Sequence, residues 1–165
     1  MRWHVALASF MACVGVEGAA QTVVHGSADA YASPGVAMAW SIARGADEAS
    51  TAIVVRVVAD PARYAWLAVR GVDPFTQQQQ AIAAPQAIGG TRDVRIPRAR
   101  FADTPRTEWQ FYPSESAARA GAATLVVYYL GVPDTTPEFA DATKAQAYLA
   151  DRIVRARANP EGAPR

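Results

Sequence analysis

The segment from Thr51 to Val69, TAIVVRVVADPARYAWLAV, constrains this chain more than any other. Two runs of β-branched and aromatic residues flank Asp60-Pro61-Ala62-Arg63, where Asp suits the first position of a turn and Pro pre-sets φ at the second. The pattern predicts a β-hairpin. In the first run Ile53, Val55 and Val57 share a face, while Ala52, Val54 and Val58 make the other face nearly as apolar. Such a strand needs cover on both sides and belongs in the middle of a sheet. In the second run Ala65, Leu67 and Val69 share one face, and Tyr64, Trp66 and Arg70 lie on the other.

With 165 residues, 51% of them hydrophobic, the chain suits one domain with a proper core. The net charge is +1, with acids and bases spread along the chain. No global field therefore argues for nucleic acid or a membrane surface as the partner.

The N-terminus reads as a leader. Met1-Arg2 supply positive charge, Val5 to Val16 an apolar stretch, and Gly18-Ala19-Ala20 the small residues a signal peptidase accepts. The expectation is a periplasmic or secreted protein, cleaved after Ala20. An alternative is a degenerate lipoprotein signal, Phe10-Met11-Ala12-Cys13, with lipid on Cys13 and a Gly/Ala/Ser-rich tether up to Gly35. Phe10 counts against it, since Leu is usual there. The apolar stretch is too short for a bilayer and no later run approaches about 20 residues, so no transmembrane span is expected. Cys13 is the only cysteine. A cleaved chain would have none, which excludes disulfides, thiolate metal sites and a cysteine nucleophile.

Taken in order, residues 21 to 34 read as a tail or a short edge strand, with the strand favoured. Val36, Met38, Trp40 and Ile42 alternate with Ala37, Ala39, Ser41 and Ala43, a strand against the core. Gly71 to Gly90 is irregular, and is either a functional loop or hides a strand near Gln79 to Ala83. Thr91 to Ile96 reads as an edge strand with Val94 and Ile96 inward, stopped by Pro97. Glu108 to Tyr112 puts Trp109 and Phe111 on one face, and Ala123 to Val132 is apolar on both faces, hence central. A helix of about 20 residues, 137 to 157, follows. Its predicted N-cap is Thr136, with Pro137 in the first turn, and its apolar stripe is Phe139, Ala142, Ala145, Leu149, Ile153 and Ala156. Residues 159 to 165 should fray.

These elements predict a mainly β protein of six to eight strands. The expected form is an antiparallel β-sandwich of the immunoglobulin or fibronectin-III kind, with the C-terminal helix packed on one sheet. The alternative is a two-layer α+β arrangement, one antiparallel sheet with one helix. The domain spans residues 21 to 158.

Little in the sequence carries chemistry. His4 lies in the leader, leaving His25 as the only histidine of the mature chain, so Ser-His-Asp catalysis and histidine-rich zinc sites lose most of their support. No phosphate-binding or dinucleotide glycine motif occurs. No cofactor and no metal site are expected. Asp60, Asp73, Asp103 and Asp134 each stand shortly before a proline, which reads as turn chemistry. A carboxylate hydrolase using two of Asp73, Asp103, Glu108 and Asp134 is the least favoured function.

Two sets of side chains are candidate binding residues. Arg92, Arg95, Arg98, Arg100 and Arg106 form the densest positive region, suited to an acidic partner or lipid phosphates, although charged edges also keep sheets from pairing with one another. Trp66, Tyr64 and Phe75 would serve a glycan or small ligand, although aromatics at alternating strand positions are ordinarily core. The leading expectation is a non-catalytic exported module. It would bind another envelope or secreted protein through the Asp73 to Gly90 loop and the Arg92 to Arg106 edge, by strand addition if the partner is an extended chain.

Overall fold

The computed structural model describes residues 21 to 160, apart from Ser27, Pro74, residues 103 to 105 and Asp134. The expected leader, with His4 and Cys13, and residues 161 to 165 of the expected tail lie outside the described residues.

Two five-stranded sheets pack face to face. Sheet B is built on β3 (Val36–Ala43) and β4 (Ala52–Ala59), with β7 (Thr91–Pro97) beyond β4. The other side of β3 is shared by β2 (Ala30–Ser33) and the two-residue β10 (Glu138–Phe139). Sheet A joins β1 (Thr22–Gly26), β9 (Leu125–Leu130), β8 (Arg106–Tyr112), β5 (Trp66–Val72) and β6 (Gln79–Ala87), in that order. The short helices α1 (Ala99–Ala102) and α2 (Glu115–Arg119) lie in the connections around β8. The last element among the described residues is α3 (Ala142–Ala158).

The alternation read along β3 becomes two different interfaces. Val36, Met38, Trp40 and Ile42 enter the core between the sheets, against Leu67, Val69, Trp109, Phe111, Leu125 and Val127. Ala37 and Ala39 on the opposite face meet Leu149, Ile153 and Ala156 of α3. Small residues there let the helix approach the sheet closely. The both-faces-apolar character of β4 has the same origin, since Val54 belongs to the helix layer and Val55 to the core. Strand β4 lies between β3 and β7, and β9 between β1 and β8, so both central positions are as expected. The edge position of β7, with Val94 and Ile96 buried, also agrees.

Thr51 to Val69 is not a hairpin. Strand β4 belongs to sheet B and β5 to sheet A, so the segment arches from one sheet to the other. The turn residues explain it. A two-residue hairpin needs a primed turn with positive φ at its first central position, and Pro61 is locked at negative φ. Asp60 instead accepts from the Ala62 amide with its side chain (2.9 Å) and from the Tyr64 amide with its carbonyl (2.8 Å). Tyr64 then plugs the core, edge-on to Phe111 at 5.9 Å between ring centres. It therefore does not share a face with Trp66: strand alternation begins only at Trp66.

Three further expectations are corrected. The pairing is not wholly antiparallel, because β1 runs parallel to β9 and β10 parallel to β3. The single-sheet alternative does not hold, since there are two sheets. The helix begins at Ala142, capped by Asp141, whose carboxylate accepts from the Thr143 and Lys144 amides. Residues 137 to 139 extend along β3 instead, where the carbonyls of Pro137 and Phe139 accept from the Ile42 and Arg44 amides, each at 2.8 Å. Strand β3 outruns β2, and its last amides take these carbonyls. The stretch before Gly90 does contain a strand, and β6 is longer than the predicted segment. Register shifts against β5 accommodate Pro85 on this edge.

Helix α3 is held by polar ties as well as its stripe. Arg56 on β4 makes a bidentate pair with Asp93 on β7, both bonds at 2.8 Å, and also donates to the Gln146 side chain of α3. The Asp29 carboxylate is buried, accepts from Arg152 at 2.7 Å and is hydrogen-bonded by Tyr148.

Leu149 is fully buried, so Leu149→Ala is expected to lower unfolding free energy by about 2–5 kcal/mol in urea titration. At Gly26 an added Cβ would collide with the Tyr129 ring, which is itself fixed against Trp40 at 4.9 Å. Gly26→Ala is expected to cost about 1–3 kcal/mol and to remove hydrogen-exchange protection from β1 before the rest of sheet A.

Candidate functional site

The arginines of the positive stretch do not form one surface. Arg92 shares the inward parity of Val94 and Ile96, but sits at the strand end and donates to the Ala87 carbonyl of β6 at 2.9 Å. Arg95 points to the helix side, exposed, across from Val54. Arg98 lies past the strand, 3.7 Å from Glu48, and Arg100 is exposed on α1. Arg106 belongs to sheet A. The charges are distributed around an edge rather than gathered.

The aromatic set also separates. Tyr64 is in the core, Trp66 is half-buried on the outer face of sheet A beside α2, and Phe75 lies beyond the opposite end of β5. Six residue steps of β5 span about 20 Å, so the three make no common platform. The carboxylates behave as turn and pairing groups. Asp73 accepts from the Phe75 and Thr76 amides at 2.8 and 3.1 Å, and those bonds hold its carboxyl below the usual range. Asp60 serves the turn at the other end of β5. Glu108 is buried and paired with Arg106 at 2.9 Å. Asp103 and Asp134 lie outside the described residues. Among the described residues no three or more His, Cys, Asp or Glu side chains are grouped to hold a metal ion, and no helix is long and apolar enough to cross a membrane.

What the fold does bring together is a row across sheet A that local sequence reading did not link. Register aligns His25 with Tyr128, Tyr128 with Glu108, Glu108 with Arg70 and Arg70 with Ala81. His25 stacks on Tyr128 at 5.4 Å and Arg106 lies 4.8 Å over the same ring. Arg70 donates to Gln79 on β6 at 2.9 Å. These residues come from five strands, and only the pairing register reveals them as neighbours. Helix α2 covers the other end of this face, with Ala118 against Tyr112, Ala68 and Val126.

The row leads to the β5–β6 turn and the free edge of sheet A. There Phe75 is 92% exposed, although the turn carrying it is well bonded: besides the two Asp73 side-chain bonds, the Gln77 amide donates to the Asp73 carbonyl and the Asp73 amide to Gln78. Gln77 takes a φ of 57°, a left-handed conformation that shapes the turn. Beside it, β6 pairs among the described residues on one side only, with β5. An aromatic side chain on a bonded turn, next to an open strand edge, can seat an apolar side chain of an extended chain while backbone groups pair along β6.

Burial raises the Tyr31, Tyr112 and Tyr129 hydroxyls above the usual tyrosine range, and also Tyr128, to which Glu108 adds and which Arg106 opposes. A folded pKa above the unfolded one leaves stability intact below about pH 10 and loses it as pH rises past that point. Lys144 is the only lysine, so tyrosines dominate this range. Urea midpoints are expected to be flat from pH 7 to 9 and to fall above pH 10, with Tyr129→Phe showing the shallowest fall of the four single Tyr→Phe variants.

No protein-family model, no curated protein and no solved structure matches this chain.

Proposed function

We propose that this protein is an exported, non-catalytic β-sandwich of the immunoglobulin or fibronectin-III kind, which binds an extended segment of another envelope or secreted protein along β6. The strand order supports the fold reading. Neighbours β4 and β7 in one sheet, facing β5, β8 and β9 in the other, occupy the places of strands B and E against C, F and G in such sandwiches. Export rests on the charged, apolar and small-residue pattern of the first twenty residues.

The observation that carries the binding role is Phe75, almost wholly exposed on a turn fastened by Asp73, beside a one-sided strand. Exposing a phenylalanine costs burial energy of about 1.5–3 kcal/mol, and a turn closed by backbone bonds gains nothing from that ring. A partner supplies the burial. The arginines of β7 and α1 are spread around the other sheet, which favours the loop part of the expected surface over its arginine part.

The reading is tested in the native envelope with a photo-crosslinking residue at Gln80. A single stoichiometric protein adduct is expected, reduced about tenfold by Phe75→Ala, a loss of about 1.4 kcal/mol. The melting temperature should not change. An adduct indifferent to Phe75→Ala but lost with Arg95→Glu would move the interface to β7, and no adduct at Gln80 would remove the proposal.

A further inference from the structure

On the side of the sandwich away from β6, the edges β1 and β2 leave a groove of about 640 Å³. Its walls are largely apolar, with Val24, Ala32 and Leu125 among them, and the core residues Tyr31 and Tyr64 also line it. Two cations stand at it. Arg63 is fixed by its bond to the Pro34 carbonyl at 3.0 Å and by its position 5.5 Å over the Tyr64 ring. Arg157, on the last turn of α3, is exposed and has no partner among the described residues. Among the described residues no acidic side chain lines the groove.

A second observation is independent of the groove's shape. Tyr31 is 4% exposed, and no hydrogen bond of full geometry reaches its hydroxyl among the described residues, although the Ser33 side chain interacts with it. A buried hydroxyl so weakly satisfied favours a ligand atom able to bond it. Ligand sites commonly combine this volume and apolar lining with a few placed polar groups.

We infer that this groove binds a small amphipathic anion, with its apolar body between the sheet edges, its anionic head on Arg157 and Arg63, and one polar atom bonded to Tyr31. Arginine serves carboxylate and phosphate heads alike. The inference is independent of the β6 proposal, since the groove and β6 lie on opposite edges of sheet A.

The test is isothermal titration of the full chain with decanoate, with decyl phosphate and with decyltrimethylammonium, each below its micelle concentration. Saturable one-to-one binding of at least one anion is expected, with the cation of equal tail length at least about tenfold weaker. The tighter of the two anions identifies the head. Arg157→Glu, at an exposed position, should weaken the anion by about tenfold or more, and Tyr31→Phe, which keeps the ring, by a few-fold. Equal binding of anion and cation, anion binding indifferent to Arg157→Glu, or no saturable binding would each overturn the inference.

Discussion

Trp40 sets the spacing of the molecule. Its ring is fully buried, meets Trp109 of the opposite sheet edge-on at 5.0 Å between centres, leans on Tyr129 at 4.9 Å and receives Phe101 at 6.4 Å. Rings of this size bury the most apolar surface per residue and prefer such tilted contacts. Everything else on β3 follows from Trp40 pointing inward. Once Val36, Met38 and Ile42 share its face, alternation sends Ala37, Ala39 and Ser41 outward, and the apolar stripe of α3 covers the two alanines. Gly26 belongs to the same constraint, because the Tyr129 ring held by Trp40 lies across it and leaves no room for a side chain.

The third layer is fastened where burial alone leaves it free to slide. A stripe of Ala145, Leu149, Ile153 and Ala156 on a floor of alanines is smooth, and smooth surfaces specify position weakly. Asp29 with Arg152 and Tyr148, and Arg56 with Asp93 and Gln146, fix the helix at two points on its length. These bonds are directional and fix position, and of the charges involved only Asp29 is buried. The two-residue pairing of β10 with β3 then sets where the helix begins.

Much of this fold was legible. The strands β3, β4, β7, β8 and β9 and the stripe of α3 each bury a repeating set of residues, and periodicity records that. The path between strands was less legible. Asp60-Pro61 looked like a hairpin turn because turn residues announce a reversal but not the sheet to which the chain returns; the locked φ of Pro61 was the available signal. Phe139 fits a helical stripe as well as a strand, and the choice fell to unpaired amides on β3, a hundred residues earlier. Asp29, flanked by alanines, carried no local mark of its ion pair. The candidate sites were legible residue by residue but not as groupings: Phe75 stood out beside its glutamines, whereas Tyr64 and Trp66, two residues apart, went to opposite sides of sheet A.

The sequence by itself determined the core-facing sets of β3, β4, β7, β8 and β9, the apolar stripe of the C-terminal helix, and that with a single cysteine the fold holds without an intrachain disulfide. Those are properties of local period and composition, and each is set within a few neighbouring residues. The tertiary structure decided the assignment of strands to sheets, the parallel placement of β1 beside β9, the row from His25 to Arg70, and the groove between β1 and β2. Each of these depends on pairing between residues far apart in the chain. Pairing is fixed by register and by the burial of the whole core, which no single segment encodes.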